Sequence, residues 1–155
     1  MTDDVKQPPV CIARRAFLER SIGAVLATAM FGGCASLVTR TVTPIDGALR
    51  LALVHYPELV ADGGSLKVVA KGMADPIYVL ALGNRRFAAL SPICTHLGCT
   101  VEIEQTRLVC PCHGSTYDRE GRVVRGPAEQ ALTSFKAELA ADDVLVIDLK
   151  PRVDA

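Results

Sequence analysis

Cys94-Thr95-His96-Leu97-Gly98-Cys99 and Cys110-Pro111-Cys112-His113-Gly114-Ser115-Thr116-Tyr117-Asp118 are the two stretches around which this chain is organised. Thirteen residues separate His96 from Cys110. The first box offers a thiol and an imidazole as Cys-x-His, the second as Cys-x-x-His, and each carries one further cysteine. Cysteine sulfur and histidine nitrogen at such short spacing are the donors that transition metals of intermediate softness select.

Two ligand chemistries fit a set of two cysteines and two histidines. One is a structural zinc site. The other is a two-iron cluster in which two histidines replace two cysteines on one iron. A plain disulfide framework is a third use of paired cysteines. A zinc module ordinarily pairs Cys with Cys and His with His, and it gives no reason for the residues flanking each box. Over Leu90–Ala128, about a quarter of the chain, the sequence resembles the Rieske [2Fe–2S] iron–sulfur protein family, most of all the Rieske subunits of cytochrome bc and bf complexes.

That resemblance implies a role for each matching residue. Cys94 and Cys110 would bind one iron as thiolates, and His96 and His113 the outer iron, holding one [2Fe–2S] cluster per chain. Cys99 and Cys112 match the family's disulfide between the two cluster loops. Ser115 and Tyr117 match positions whose hydroxyls donate hydrogen bonds to a bridging sulfide and a ligand thiolate. Such donors stabilise the reduced, more negative state. Gly98 and Gly114 stand where the backbone turns closely around sulfur, Leu97 matches the quinone-facing tip, and Gly126-Pro127-Ala128 resembles the proline loop that covers the cluster.

The composition narrows the alternatives. Seventeen basic and seventeen acidic side chains give a formal net charge of zero. No basic excess suggests a nucleic-acid surface. Of only three histidines, two lie in the boxes. The third, His55, reads as a surface strand residue, and Arg85-Arg86 and Asp142-Asp143 as solvated turn charges.

Residues 1–20 form a polar leader containing Arg14-Arg15-Ala16-Phe17-Leu18, which resembles a twin-arginine export signal. A cluster assembled in the cytoplasm requires a domain exported already folded, so motif and metal agree. Residues 21–38 read as a membrane anchor or signal segment, with no charge from Ser21 to Thr39. A helix of that length spans about 28 Å, against a hydrocarbon core of about 30 Å. Phe31-Gly32-Gly33-Cys34 also resembles a lipoprotein cleavage box with Cys34 as the acylated residue, although Phe stands where Leu is usual. Either anchor, with Arg14, Arg15 and Arg20 held inside, predicts a bacterial cell-membrane protein whose head faces the periplasmic or extracytoplasmic side. A disulfide requires such an oxidising compartment.

Residues 39–48 read as a tether and 49–150 as the Rieske domain. Alternation of Leu49, Leu51 and Leu53 with Arg50, Ala52 and Val54 predicts a half-buried strand. Further strands are expected at 66–70, 77–82, 85–90, 100–104, 107–109, 135–140 and 144–149, with an ambiguous helical pattern over 131–139. The fold class is all-β. The family implies an antiparallel β-sandwich carrying a small cluster-binding β subdomain, here preceded by an N-terminal hydrophobic helix.

The expected function is electron transfer as the iron–sulfur subunit of a quinol:cytochrome c (bc-type) oxidoreductase, rather than as a self-contained enzyme. Its partners would be quinol, cytochrome b, a c-type cytochrome and the membrane. Two alternatives stay open: the small subunit of a periplasmic molybdenum oxidoreductase of the arsenite oxidase type, and a stand-alone exported Rieske carrier. The hairpin between the boxes (Thr100–Val109) and the tether are both shorter than is usual in bc complexes, and these departures keep the last alternative open. A Rieske oxygenase would need a mononuclear-iron domain for which the chain has no residues to spare.

Overall fold

The computed structural model describes residues 37–152. The leader, the hydrophobic segment expected to be helical, and Cys34 lie outside the described residues. Among the described residues no helix is long and apolar enough to cross a membrane. The described residues hold eleven strands: β1 Thr39–Val42, β2 Ala48–Ala52, β3 Ser65–Ala70, β4 Ile77–Gly83, β5 Arg86–Leu90, β6 Glu102–Glu104, β7 Arg107–Val109, β8 Thr116–Tyr117, β9 Val123–Arg125, β10 Ser134–Leu139 and β11 Val144–Arg152. They form a seven-stranded sheet in the order β1-β3-β4-β5-β10-β11-β2 and a four-stranded sheet in the order β6-β7-β8-β9. The smaller sheet carries the second box, and the first box leads into it.

One strand explains how the two sheets share a molecule. In β4 successive side chains point to opposite faces, and every residue from Ile77 to Ala81 is buried. Ile77 and Val79 enter a core with Leu49, Leu51, Leu66, Val68, Phe135, Leu145 and Ile147. Tyr78 and Leu80 enter a second core with Leu90, Val101, Leu108, Tyr117 and Leu132. A strand apolar on both faces cannot be an outer wall, so β4 is the partition between the base and the cluster unit. Tyr78 reinforces the junction: its hydroxyl donates to Val101 O at 3.1 Å. By contrast β3 alternates, burying Leu66, Val68 and Ala70 and leaving Lys67 and Val69 partly exposed.

The structure departs from the sequence reading in several places. Of the stretch read as a tether, Thr39–Val42 is β1, paired in parallel with β3 from Thr39–Lys67 to Val42–Ala70. Asp46 and Gly47, both at positive φ, then form a tight turn closed by Ile45 N to Ala48 O and Ala48 N to Ile45 O. Asp-Gly is a favoured dipeptide for such a two-residue turn, because both residues tolerate positive φ. The helical alternative over 131–139 gives way to a strand: Phe135 pairs with Ala89 on one side and Pro151 on the other. His55 is exposed but lies in a 3-10 turn, Leu53–His55, rather than a strand. Arg85 and Arg86 are also not simply solvated, since Arg85 pairs with Asp143 and Arg86 with Glu120.

Candidate metal centre

The two boxes fold into the same loop. In the first, Cys94 N donates to Cys99 O at 2.8 Å, and Gly98 N returns a bond to Cys94 O at 2.9 Å. In the second, Cys110 N donates to Ser115 O at 2.8 Å and Gly114 N to Cys110 O at 2.9 Å. Closing either loop puts its glycine at φ +78 or +76, respectively. A Cβ at Gly98 or Gly114 would touch nothing within 4 Å, so the need for glycine is conformational rather than steric. The bridge between Ile93 and Thr100 closes the first loop below its tip, and the second is flanked by β7 and β8.

Cys99 and Cys112 are joined in a disulfide with Cα atoms 6.5 Å apart, as the resemblance implied. The Cys110 sulfur lies within 4.8 Å of both bridged sulfurs. The bridged pair has no thiolate to offer a metal, so these three do not make a site. Among the described residues the thiols left free are Cys94 and Cys110, with 2% and 1% of their surface exposed. Next to them stand the imidazoles, His96 and His113, with ring centroids 4.9 Å apart and planes at 85°.

His96 supplies the test of fit. Its Nδ1 is buried without a hydrogen-bond partner. A buried polar nitrogen left unpaired costs about 1–3 kcal/mol, so such atoms in folded proteins call for an explanation. A metal accepting the Nδ1 lone pair satisfies it. Burial alone pushes the Cys94 thiol up, but hydrogen bonds from Tyr117, the His96 N–H, Cys110 and Ser115 outweigh it and hold the thiol below its usual range. Stabilised thiolates are what metals bind. The donor set suits a two-iron cluster with mixed thiolate and imidazole ligation.

Tyr117 is fully buried, and its hydroxyl lies 3.2 Å from Cys94 Sγ and 3.1 Å from Thr95 Oγ1. Thr95 spends its own proton on Gln130 O at 2.7 Å. The phenolic proton is therefore shared between Cys94 and Thr95, and a charged sulfur draws it. Ser115 Oγ accepts from Ala128 N at 3.0 Å, which fastens the Gly126-Pro127-Ala128 segment to the second box and leaves the hydroxyl proton free to donate. Gly126-Pro127 is cis, and Pro127 is exposed. Leu97 projects from the first loop with 68% of its surface exposed. Tyr117→Phe and Ser115→Ala are each expected to lower the midpoint potential with the fold retained. Hydrogen bonds to charged groups are worth about 1.5–3 kcal/mol, and only the difference between oxidation states counts, so tens of millivolts are expected. Protein-film voltammetry reads the shift, and an unchanged potential in both variants removes these hydroxyls from the site.

Three residues in or next to the boxes carry contacts that escaped the sequence reading: Thr95, Asp118 and Arg119. Asp118 ties the turn after β8. Its Oδ1 accepts from Glu120 N and Arg122 N, both at 2.9 Å, and its Oδ2 accepts from Arg122 Nε at 2.7 Å. The Asp-x-x-Gly spacing, with an Asp side chain closing its own turn, was the legible signal. Burial raises the Asp118 carboxyl, but the Arg122 guanidinium and the two backbone N–H groups prevail and hold it below the ordinary range. A carboxyl depressed in the fold stabilises it fully above the unfolded value, and that stability is lost as pH falls through the folded value. Asp118→Ala should therefore cost about 1–3 kcal/mol at pH 7. It should also flatten the loss of stability below about pH 4, read as urea midpoints against pH. An acid limb identical to wild type contradicts this role.

A protein-family model described as the Rieske [2Fe-2S] domain matches residues 52–136, more than half of the chain. The cytochrome b6-f complex iron-sulfur subunit of Synechococcus elongatus is 42% identical over 91 residues, covering 56% of this chain and 51% of that protein. Subunit 2 of the same type from Synechocystis sp. is 40% identical over 101 residues, 62% of this chain and 56% of that one. The chain thus spans about half the length of the curated relatives it matches. Among solved structures, a chain from the complex of reduced oxygenase and oxidized ferredoxin in carbazole 1,9a-dioxygenase superposes with a TM-score of 0.54 at 20% identity, covering 71% of this chain and 100% of that one, a likeness of fold alone. The matched span takes in both boxes and most of the two cores, and the chain belongs to the Rieske [2Fe–2S] domain family.

Proposed function

We propose that this chain transfers single electrons as the iron–sulfur subunit of a bc-type quinol:cytochrome c oxidoreductase, through a cluster held by Cys94, Cys110, His96 and His113. The observation that carries the proposal is the division of the box residues. Two cysteines are bridged, two are free and buried, and two imidazoles stand beside them, one with a buried nitrogen that has no partner. When bound, the cluster would supply a site that takes up and gives back one electron at a time.

The remaining work falls to the chain's own residues. His96 and His113, neutral where other iron–sulfur proteins place thiolates, leave the site less negative and raise its potential. Tyr117 steadies charge on Cys94. The disulfide pins the two loops together at their exposed end, and Leu97 offers an apolar contact there for a quinol or a protein partner. Support for the bc-type reading comes from relatives named as iron–sulfur subunits of cytochrome b6-f complexes. The Cys99–Cys112 bridge supports a head on the extracytoplasmic side of the membrane, where disulfides persist.

The test is purification of the full chain from detergent-solubilised membranes through a C-terminal tag. Co-purifying b- and c-type haem spectra, with quinol-dependent cytochrome c reduction, is the expected result. A molybdopterin subunit in the same fraction, or an iron–sulfur protein that purifies alone and leaves quinol unoxidised, overturns the bc-type assignment.

A further inference from the structure

Arg119 is the one basic side chain of the β8–β9 turn that points back into the molecule, and it joins three segments far apart in sequence. Its Nη1 donates to Gln105 O at 3.0 Å, in the turn between β6 and β7. Its Nη2 donates to Gly64 O at 2.7 Å and to Ser65 Oγ at 3.0 Å, at the start of β3 in the base sheet. All three acceptors are neutral, and Nε is buried without a partner. A guanidinium so placed gives up hydration for a few charge-assisted bonds, so an ordinary surface-charge role does not explain it.

The acceptor side is built to receive it. A Cβ on Gly64 would fall 1.9 Å from Glu58 O, so only glycine fits there. Gly64 N donates to Ala61 O, and Gly64 O also accepts from Ala81 N at 2.9 Å, so the carbonyl is fixed in direction. Ala81 belongs to β4, the partition between the two cores. At the other end Arg119 lies two residues past Tyr117, whose hydroxyl contacts Cys94. We infer that Arg119 is a positioning residue, a strut that locks the cluster unit onto the base sheet and so fixes where Tyr117 holds its hydroxyl against the Cys94 sulfur.

The strut is distinct from the Tyr78–Val101 bond, which crosses the same junction through the second core. Arg119 acts at its exposed rim, where Gln105, Gly64 and Arg119 itself meet. Loss of the strut should therefore loosen the rim and leave the far strands, β10 and β11, as they were.

The experiment compares the purified full chain with Arg119→Met, Arg119→Lys and Ser65→Ala by hydrogen–deuterium exchange and by midpoint potential. In Arg119→Met, exchange should quicken about ten-fold or more over residues 61–66, 103–107 and 118–122, with β10 and β11 unchanged. The potential should fall by less than in Tyr117→Phe. Lysine can reach Gly64 O and Ser65 Oγ but not also Gln105 O, so Arg119→Lys should recover most of the effect. Ser65→Ala should show a smaller change over the same residues. Exchange unaltered over those residues, exchange raised evenly over β10 and β11 as well, or a lysine variant no better than methionine overturns the inference. Should Arg119→Met fail to fold, the lysine and Ser65→Ala variants decide it by the same residues. The potential arm rests on the proposed cluster and the exchange arm does not, so a protein without iron would refute the function and still test the strut.

Discussion

Alanine at Cys94, His96, Cys110 or His113 is expected to leave a folded protein with less than about a tenth of the wild-type iron and labile sulfide. Among the described residues no spare cysteine or histidine is placed to replace a lost one: Cys99 and Cys112 are consumed in their bridge, and His55 sits in the Leu53–His55 turn of the base. The fold should persist, because the base core of Leu49, Leu51, Leu66, Val68, Ile77, Val79, Leu145 and Ile147 contains no box residue. The cluster unit should suffer more. Cys94 and Cys110 belong to its smaller core, and cutting a buried cysteine to alanine removes packing as well as a ligand. Far-ultraviolet circular dichroism should change little while visible absorbance disappears. Full iron retention in any of the four variants would falsify that residue's assignment as a ligand.

The second large effect is that of the disulfide. Cys99→Ser or Cys112→Ser is expected to yield a protein that assembles its cluster and then loses it several-fold faster in air. The bridge spans 13 residues, and a closed loop near that length is worth about 3 kcal/mol. Each cluster loop has two backbone hydrogen bonds of its own, so the bridge is the covalent tie that keeps one loop facing the other. For a head of this size the melting temperature should fall by about 10 °C. The two single variants and the double variant should behave alike, since each removes the same bond and effects through one shared contact do not add. Matched bleaching rates in wild type and variants contradict the assignment.

The part of the site legible in the sequence was the part whose geometry is local. Ligand spacing, the two glycines and the flanking Ser115 and Tyr117 all lie within one short loop each, so the boxes could be recognised without the fold. Pairing Cys99 with Cys112 rested on the family resemblance, and the structure bears it out. Strands were legible where apolar alternation was strong, as in β3, or where a run was apolar throughout, as in β4. β1 was missed because Thr39–Val42 is largely exposed and is held by parallel pairing with residues 28 positions on, from Thr39 to Lys67. β8 and β9, two and three residues long, are too short for any period to show. Arg119 left no signal at all, because its acceptors are main-chain carbonyls and a hydroxyl brought near only by folding.

The central claim is a two-iron cluster with mixed ligation in the two boxes. Iron, zinc and acid-labile sulfide analysis of the purified head, read together with electron paramagnetic resonance of the dithionite-reduced protein, tests it most directly. Two irons and two sulfides per chain with a Rieske-type signal is the expected result. One zinc per chain with no labile sulfide and no signal would contradict it.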